Sequence, residues 1–123
     1  MPPRKLEDQP GALLEENLKK ALTEMILLHL LSQKDSYIGE LTDTIQQRSN
    51  GDLSIVFPYG AIYRLEETGR ICELEKRSAP DGRRRQYFRI TDSGRTYLAQ
   101  LMTVYRRFFQ AMGNLLAERE DEV

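Results

Sequence analysis

The sequence predicts a mainly α (α+β) fold composed of four helices and one short β-hairpin. Three observations predict this class. Apolar residues recur at helical spacing in four segments, and between residues 70 and 91 the apolar period changes to two. The two alternating stretches flank an Asp-Gly pair, which favours a tight hairpin turn. With 123 residues, of which 40% are hydrophobic and 30% charged, the chain is long enough for one domain with a buried core.

The first part of the chain predicts an N-terminal arm followed by two helices. Residues 1–12 hold three of the five prolines together with several charges, and we expect a flexible arm there. Residues 13–32 form the first predicted helix, whose apolar stripe widens until nearly every side is apolar. Ser36 is a favourable N-cap for a second helix over residues 37–48. The buried stripe of this second helix is predicted to be Ile38, Leu41 and Ile45.

The central segment predicts a third helix and then the hairpin. Pro58 suits the first turn of this helix, and Gly69 ends it. The hairpin strands are predicted over residues 71–77 and 85–90, on either side of the loop Ala79-Pro80-Asp81-Gly82. Neighbouring helices followed by a β-hairpin form the element order of a winged helix-turn-helix domain, which we therefore predict over residues 13–95.

The final helix carries the clearest periodic pattern in the chain. Thr91 or Ser93 is expected to cap it, with residues 96–118 as a dimerisation helix and 119–123 as an acidic tail. Its apolar residues step by three and four: Leu98, Leu101, Tyr105, Phe108, Met112 and Leu115. Because other helices already cover the core, we expect this stripe to pack against a second copy, together with the first helix. The alternative is that the final helix folds back along its own core.

The overall charge excludes a protein that binds nucleic acid through bulk charge alone. The 18 Lys and Arg residues are balanced by 19 Asp and Glu residues, which leaves a net charge of -1. Residues 58–95 nevertheless carry nine basic and six acidic side chains, a local charge of +3. Within them Arg83, Arg84 and Arg85 lie at the hairpin tip, where we expect them to bind phosphate or enter a narrow minor groove. The alternative is a solvated loop with three surface charges.

The third helix is the second candidate for DNA contact. In a helix-turn-helix unit the first residues of the second helix meet base edges, and Tyr59, Tyr63 and Arg64 are predicted to face outward there. Tyrosine hydroxyls bind phosphate as readily as base edges, so the helix is a weaker candidate than the hairpin. A half-buried position is the alternative for Tyr63.

The residue types argue against catalysis and against a metal site. His29 is the only histidine and Cys72 the only cysteine, and the sequence contains no glycine-rich phosphate-binding motif. We therefore expect neither an enzyme nor a cofactor. The longest apolar run, residues 25–31, is too short to cross a membrane, and the N-terminus lacks an apolar signal core. A soluble, cytoplasmic protein without a membrane partner is expected.

Three segments, in order, resemble the PadR family of bacterial transcriptional regulators. SYIGEL at residues 36–41 resembles the family's Y-G-x-E-L segment. YGAIYRLEETGRI at residues 59–71 resembles its Y-P-A-L-x-R-L-E-x-x-G-L-I segment. GRRRQYFRITDSGR at residues 82–95 resembles its G-R-x-R-K-Y-Y-x-L-T-x-x-G segment. One departure is the approach to the third helix, residues 52–58, which is shorter than the family pattern.

The resemblance implies a winged-helix dimer that binds double-stranded DNA and represses transcription in response to phenolic acids or other small hydrophobic compounds. It adds Tyr37, in the first matching segment, to the DNA-binding candidates. In multidrug-responsive short members, which have one C-terminal helix, the ligand enters a cavity between the two subunits that the first and last helices line. The matching positions here are Met25, His29, Tyr105 and Phe109, with Tyr105 where drug-binding members have Trp. The alternative for His29 is a core histidine with one backbone partner.

Together these predictions describe a homodimeric, sequence-specific DNA-binding transcriptional regulator. We expect a repressor that a small hydrophobic or phenolic effector releases from a palindromic operator. The alternative from another class is a winged-helix protein-interaction module that does not bind DNA, which the net charge of -1 favours.

Overall fold

The computed structural model describes residues 9–56 and 58–118. Its elements, in chain order, are α1 (Ala12–Gln33), β1 (Ser36–Tyr37), α2 (Ile38–Arg48), α3 (Tyr59–Glu67), β2 (Ile71–Glu73), β3 (Arg77–Ser78), β4 (Arg84–Arg85), β5 (Tyr87–Ile90) and α4 (Asp92–Leu116). This order confirms the predicted mainly α winged helix-turn-helix class. The predicted acidic tail, and residues 1–8 of the predicted arm, lie outside the described residues.

Helix α1 divides into a buried half and an exposed half. Leu27, Leu28 and Leu31 are almost fully buried, which explains why the sequence is apolar on most sides of this half. The first turns instead leave Leu13 and Leu14 more than half exposed. Only the second half of α1 therefore belongs to the core of its own chain.

The segment between α1 and α2 differs from the prediction. Ser36 does not cap α2, because it lies in β1 and is only 2% exposed. Its hydroxyl donates to the Lys34 carbonyl oxygen at 3.3 Å, while the N-cap of α2 is Tyr37, whose side chain makes no capping hydrogen bond. The pairing of Ser36 with Phe88 in β5 explains the difference, since a partner from a distant strand fixes Ser36 in extended backbone.

The hairpin is shorter and more interrupted than the predicted strands. A three-stranded antiparallel sheet has the order β1-β5-β2, and β3 and β4 form a separate two-stranded ladder toward the tip. Gln86 lies between β4 and β5, and its side-chain amide donates to the Leu74 and Tyr87 carbonyl oxygens. At the tip, Gly82 has a φ of 82° and donates its backbone N–H to the Ala79 carbonyl oxygen at 2.9 Å. We call the segment 77–85 the wing.

The core lies between α1, the α2–α3 pair and the inner face of the sheet. Its buried members outside α1 are Leu41, Ile45, Ala61, Ile62, Leu65, Ile71, Phe88, Ile90 and Leu98. The inclusion of Leu98 corrects one prediction. The heptad pattern predicts Leu98 in the dimer interface, but this residue is 8% exposed and packs in the core of its own chain. The first turns of α4 therefore pack against the core of their own chain. The alternative stated for this helix, that all of it folds back along its own core, is met only for these turns.

The start of α4 is fixed against the end of α3. Thr91 is its N-cap, one of the two caps predicted, and the Thr91 hydroxyl accepts from the Gly94 N–H at 3.0 Å. The same hydroxyl donates to the Gly69 carbonyl oxygen at 2.7 Å. A Cβ at position 94 would overlap the Arg70 carbonyl oxygen, so glycine permits this close crossing. These contacts set the direction of α4 relative to the hairpin.

Candidate nucleic-acid interface

The exposed face of α3 presents two tyrosines. Ala61, Ile62 and Leu65 bury the opposite face of the helix and thereby turn Tyr59 and Tyr63 outward. Tyr59 is 58% exposed and Tyr63 is 63% exposed, so the half-buried alternative for Tyr63 does not hold. The two rings are four residues apart and share one face of the helix.

Arg64 is directed toward α1 instead. Its Nε donates to Glu24 Oε1 at 3.1 Å, although the guanidinium side chain remains 60% exposed. The other oxygen of Glu24 accepts from the Tyr97 hydroxyl at 3.4 Å, so one carboxylate connects α3 to α4. The guanidinium of Arg64 therefore points away from the face that carries Tyr59 and Tyr63 as long as its ion pair with Glu24 is formed.

The three wing arginines have different partners. Arg85 donates through Nη2 and Nε to Asp81 Oδ2, at 2.6 and 3.1 Å. The Arg85 hydrogen bond holds the pKa of Asp81 below its ordinary value. Arg84 donates to the Lys76 carbonyl oxygen at 3.3 Å, whereas Arg83 is exposed and contributes its backbone N–H to Asp81 at 3.0 Å. Asp81 thus shapes the tip while Arg83 projects from it.

A groove of about 330 Å³ brings three of the predicted DNA-binding residues together. It lies between the start of α2, the start of α3 and the wing. Tyr37, Tyr59 and Arg85 all line it, and so do Ile38 and Gly39 in the first turn of α2. The guanidinium carbon of Arg85 is 5.6 Å from the centre of the Tyr37 ring. Helix N-termini and guanidinium groups both favour anions, so this groove is suited to a phosphate group.

Tyr37 is held in place by the hairpin. It pairs with Tyr87 across β1 and β5, and the two rings meet edge to face at 5.4 Å. Burial raises the pKa of Tyr37 above its ordinary value of 10.0. The sequence predicts Tyr37 in a helix, and only the strand pairing explains its orientation.

Sequence reasoning missed an ion cluster at the base of the wing. Asp35 accepts two hydrogen bonds from Arg89, at 2.7 and 3.1 Å, and Arg77 approaches the same carboxylate at 3.6 Å. The Arg77 guanidinium carbon also lies 4.1 Å from the centre of the Tyr87 ring. The local charge of residues 58–95 includes both arginines, but nothing in the sequence pattern connects them to Asp35, which precedes the neighbouring strand β1.

The four predicted effector residues line two adjacent cavities within one chain. Met25, His29 and Tyr105 line a cavity of about 500 Å³ between α1, α2 and α4. Met25, Tyr105 and Phe109 line a second one of about 370 Å³. Met25, His29 and Tyr105, which we expected to face one another across a dimer axis, thus line one cavity of a single chain. His29 is exposed toward the first cavity, which contradicts the core-histidine alternative.

Beyond Leu98, the apolar stripe of α4 emerges from the core. Leu101 and Met112 are partly buried, whereas the remaining predicted interface residues Tyr105, Phe108 and Leu115 are exposed. The exposed stripe is extended by Val104, Phe109 and Leu116, and by Leu13, Leu14 and Leu18 on α1. Contiguous apolar surface of this kind is typical of an interaction site.

None of the helices in the described residues combines the length and the apolar character that a membrane crossing demands. The sequence model of the PadR-like family of transcriptional regulators matches residues 27–100. A curated relative, an uncharacterised protein X from Lysinibacillus sphaericus, is 33% identical over 81 residues, which cover 64% of this chain and 73% of the relative.

Solved structures show the same architecture. A transcriptional regulator from Clostridium thermocellum superimposes with a TM-score of 0.74 at 25% identity, over 82% of this chain and 96% of that one. A PadR-like transcriptional regulator from Bacillus cereus gives a TM-score of 0.71 at 22% identity, over 84% and 99%. A PadR family regulator from Eggerthella lenta gives 0.75 at 21%, over 92% and 97%. The matched family segment spans the helix-turn-helix unit, the wing and the start of α4, and the chain belongs to the PadR-like family of transcriptional regulators.

Proposed function

We propose that this protein is a homodimeric, sequence-specific DNA-binding repressor that a small hydrophobic or phenolic effector releases from its operator. The observation that carries the DNA-binding part is the groove that joins Tyr37, Tyr59 and Arg85 at the N-terminus of α2. It adjoins the exposed tyrosine face of α3 and the projecting arginines of the wing.

DNA binding uses two surfaces in this proposal. Helix α3 enters the major groove with Tyr59 and Tyr63, while a backbone phosphate occupies the groove beside Arg85. Arg83 and Arg84 reach the flanking backbone or the minor groove, where negative potential attracts arginine. Arg64 joins the contact only after its ion pair with Glu24 opens.

The dimer follows from the exposed apolar stripe along α4 and the first turns of α1. A two-fold axis at this stripe gives the dimer two recognition helices. Such a dimer recognises a palindromic operator whose half-sites are about 34 Å apart. The effector binds in the cavities between α1 and α4, next to the proposed interface. The proposed location is the cytoplasm, because bacterial chromosomal DNA lies there.

Binding to the protein's own promoter region, measured by gel shift and by fluorescence anisotropy at several salt concentrations, tests this function. We expect a discrete complex on one palindrome, and an affinity that falls steeply as salt rises because counterions are released. A protein-interaction module would bind no duplex at any salt concentration. That result would reject the DNA-binding role and leave the family assignment unchanged.

A further inference from the structure

The cavity between α1, α2 and α4 has an uneven distribution of charge. Its floor and walls are apolar: Met25, Ile26, Leu30, Ile45, Leu53, Met102 and Tyr105. Its polar side chains include two arginines, Arg48 at the end of α2 and Arg106 on α4, together with His29. No Asp or Glu is among the described residues that line it. At about 500 Å³ it lies within the usual size range of small-molecule sites.

The two arginines lack the carboxylate partner that four other arginines of the domain have, as do Arg70, Arg83, Arg84, Arg95 and Arg107 within the described residues. Arg64, Arg77, Arg85 and Arg89 each form an ion pair with a carboxylate. Arg48 instead donates to the neutral side-chain oxygen of Gln33 at 2.7 Å. Within residues 9–56 and 58–118, no ion pair is found for Arg48 or Arg106. Two positive charges therefore border an apolar cavity without a matching acid.

The neighbouring cavity provides an internal comparison. Its polar lining includes Glu24, which already binds Arg64 and Tyr97, and it contains the ring pair of Tyr105 and Phe109 at 4.7 Å. An anion is disfavoured beside the Glu24 carboxylate and favoured beside Arg48 and Arg106. Charge thus distinguishes two cavities that share Met25 and Tyr105.

We propose that the larger cavity binds an amphipathic aliphatic monocarboxylate, with the carboxylate between Arg48 and Arg106 and the alkyl chain against the apolar floor. Aliphatic and methionine side chains dominate that floor, and methionine adapts to flexible chains. Tyr105 is the only ring among the described apolar lining residues, so a planar ligand would have no second apolar ring to stack against. This differs from the planar aromatic ligand expected from the sequence.

The position of the cavity connects the ligand to the DNA-binding elements. Arg48 ends α2, and the first turn of the same helix borders the groove beside Arg85. A carboxylate that bridges Arg48 and Arg106 would hold α2 at a fixed distance from α4. This ligand would be the effector of the proposed function, and any effect of the ligand on DNA binding rests on that function. Binding of the ligand to the protein can be measured without DNA.

Isothermal titration calorimetry with decanoate, below its micellar concentration, tests the proposal directly. We expect saturable binding to the full chain, with decanol weaker by about tenfold or more because it lacks the charge. Decyltrimethylammonium should not bind, and 4-hydroxycinnamate should bind more weakly than decanoate. Tighter binding of 4-hydroxycinnamate would overturn the aliphatic assignment, and equal binding of decanol would overturn the role of the arginines.

Variants locate the site. Arg48→Gln and Arg106→Gln should each weaken decanoate binding by about tenfold, because each removes a charged hydrogen-bond donor. Arg107→Gln is the matched control, since Arg107 neighbours Arg106 on α4 but does not line the cavity. Circular dichroism and thermal melting check that each variant is folded. An equal loss in Arg107→Gln, or no loss in either cavity variant, would refute the site.

Two further measurements separate the possible failures. If the cavity variants shift the monomer–dimer equilibrium in sedimentation while decanoate binding is unchanged, the cavity belongs to a second copy and the ligand proposal is wrong. If decanoate binds and the protein does not bind its promoter, the ligand site stands and the DNA-binding function fails. If decanoate lowers promoter affinity in wild type but not in Arg106→Gln, both proposals gain support.

Discussion

Single residues at the hairpin base position the elements that carry function. Thr91 and Gly94 bring the start of α4 against the carbonyl groups of Gly69 and Arg70. Asp35, just before the edge strand β1, binds Arg89 from the central strand β5 and so ties these two strands together. We expect substitutions of these residues to lower the free energy of unfolding and to change the orientation of α4 and of the wing.

We expect Gly94→Ala to lower the free energy of unfolding by about 1–3 kcal/mol, because the added methyl group has no room. It would overlap the Arg70 carbonyl oxygen and lie 2.7 Å from Ile90 Cγ1. Gly113→Ala in the same helix is the matched control, since a Cβ there meets nothing within 4 Å. The control should stabilise the helix by about 0.5–1 kcal/mol. Urea denaturation measures both, and equal effects would contradict the close crossing.

The Asp35 cluster predicts a pH-dependent contribution to stability. The Arg89 hydrogen bond holds the pKa of Asp35 below its ordinary value of 3.8. Because the folded pKa is the lower one, Asp35 stabilises the fold above its unfolded pKa, and this contribution disappears as pH falls through the folded pKa. Asp35→Asn should therefore cost about 1 kcal/mol of unfolding free energy at neutral pH, with the difference from wild type vanishing at acidic pH.

The control for this titration is Asp43→Asn, at an exposed position on α2. It removes the same charge outside the cluster and should leave the pH dependence of stability close to that of wild type. Unfolding free energies from denaturant titrations, run from neutral pH down to about one unit below the ordinary carboxyl pKa, compare the three proteins. A constant difference between wild type and Asp35→Asn across this range would exclude the cluster as its source.

At the scale of elements, the wing and α3 have different physical roles. The wing projects Arg83, keeps Arg84 near the Lys76 carbonyl and uses Arg85 partly to bind Asp81. Helix α3 presents two exposed tyrosines and an arginine tied to α1. We therefore expect the wing to supply the salt-dependent part of DNA affinity and α3 to supply the base contacts.

Replacing Arg83, Arg84 and Arg85 together with alanine should reduce the salt dependence of DNA binding. Each phosphate contact that the substitutions remove lowers the slope of log affinity against log salt by about 0.9. Arg107→Ala, a single exposed arginine on α4, should leave the slope unchanged. Fluorescence anisotropy on a non-specific duplex provides the slopes. A triple variant with the wild-type slope would mean that the wing does not touch DNA.

The ion pair between α1 and α3 predicts a gain of affinity. Glu24→Gln removes the carboxylate that holds Arg64 at 3.1 Å, so Arg64 becomes available to DNA without first breaking an ion pair. We expect operator affinity to rise by up to about fivefold, the range of an exposed salt bridge. Glu16→Gln, on the same helix and equal in charge, is the control because Glu16 pairs with Lys19 instead. Equal gains in both variants would attribute the effect to net charge alone.

At the scale of the whole molecule, one apolar region is left without cover by the single chain. The apolar stripe of α4 leaves the core after its first turns, and the exposed apolar residues of α1 lie at the helix end that precedes the core. The two helices contact one another within the chain, so these surfaces form one region. A second copy of the chain is the partner that the proposed function assigns to it.

Phe108→Asp should convert the protein to a monomer or make it insoluble, because it places a charge within the exposed apolar stripe. Gln110→Asp is the matched control, since it adds the same charge to an exposed position of α4 outside the predicted stripe. Sedimentation at micromolar concentration should show a dimer for wild type and for the control. A wild-type monomer under these conditions would reject the proposed assembly.

The sequence alone was sufficient for the order of the four helices and the hairpin, for the family and for much of the candidate DNA surface, but not for strand β1. Helical periods, the Asp-Gly turn and the Thr91 cap are local signals, because the residues that produce them lie within a few positions of one another. The outward direction of Tyr59 follows from the same period, since the buried residues of α3 fix its opposite face.

Only the tertiary structure decided contacts between residues far apart in the chain. Ser36 lies in a strand because it pairs with Phe88, and Leu98 packs in the core of its own chain. Arg64 forms an ion pair with Glu24, 40 positions earlier in the chain. Met25, His29 and Tyr105 likewise line one cavity of a single chain, whereas the sequence suggested that they face one another between two chains. Periodicity specifies which face of a helix is apolar, but the surface that covers this face depends on how the helices cross, and no local pattern encodes that angle.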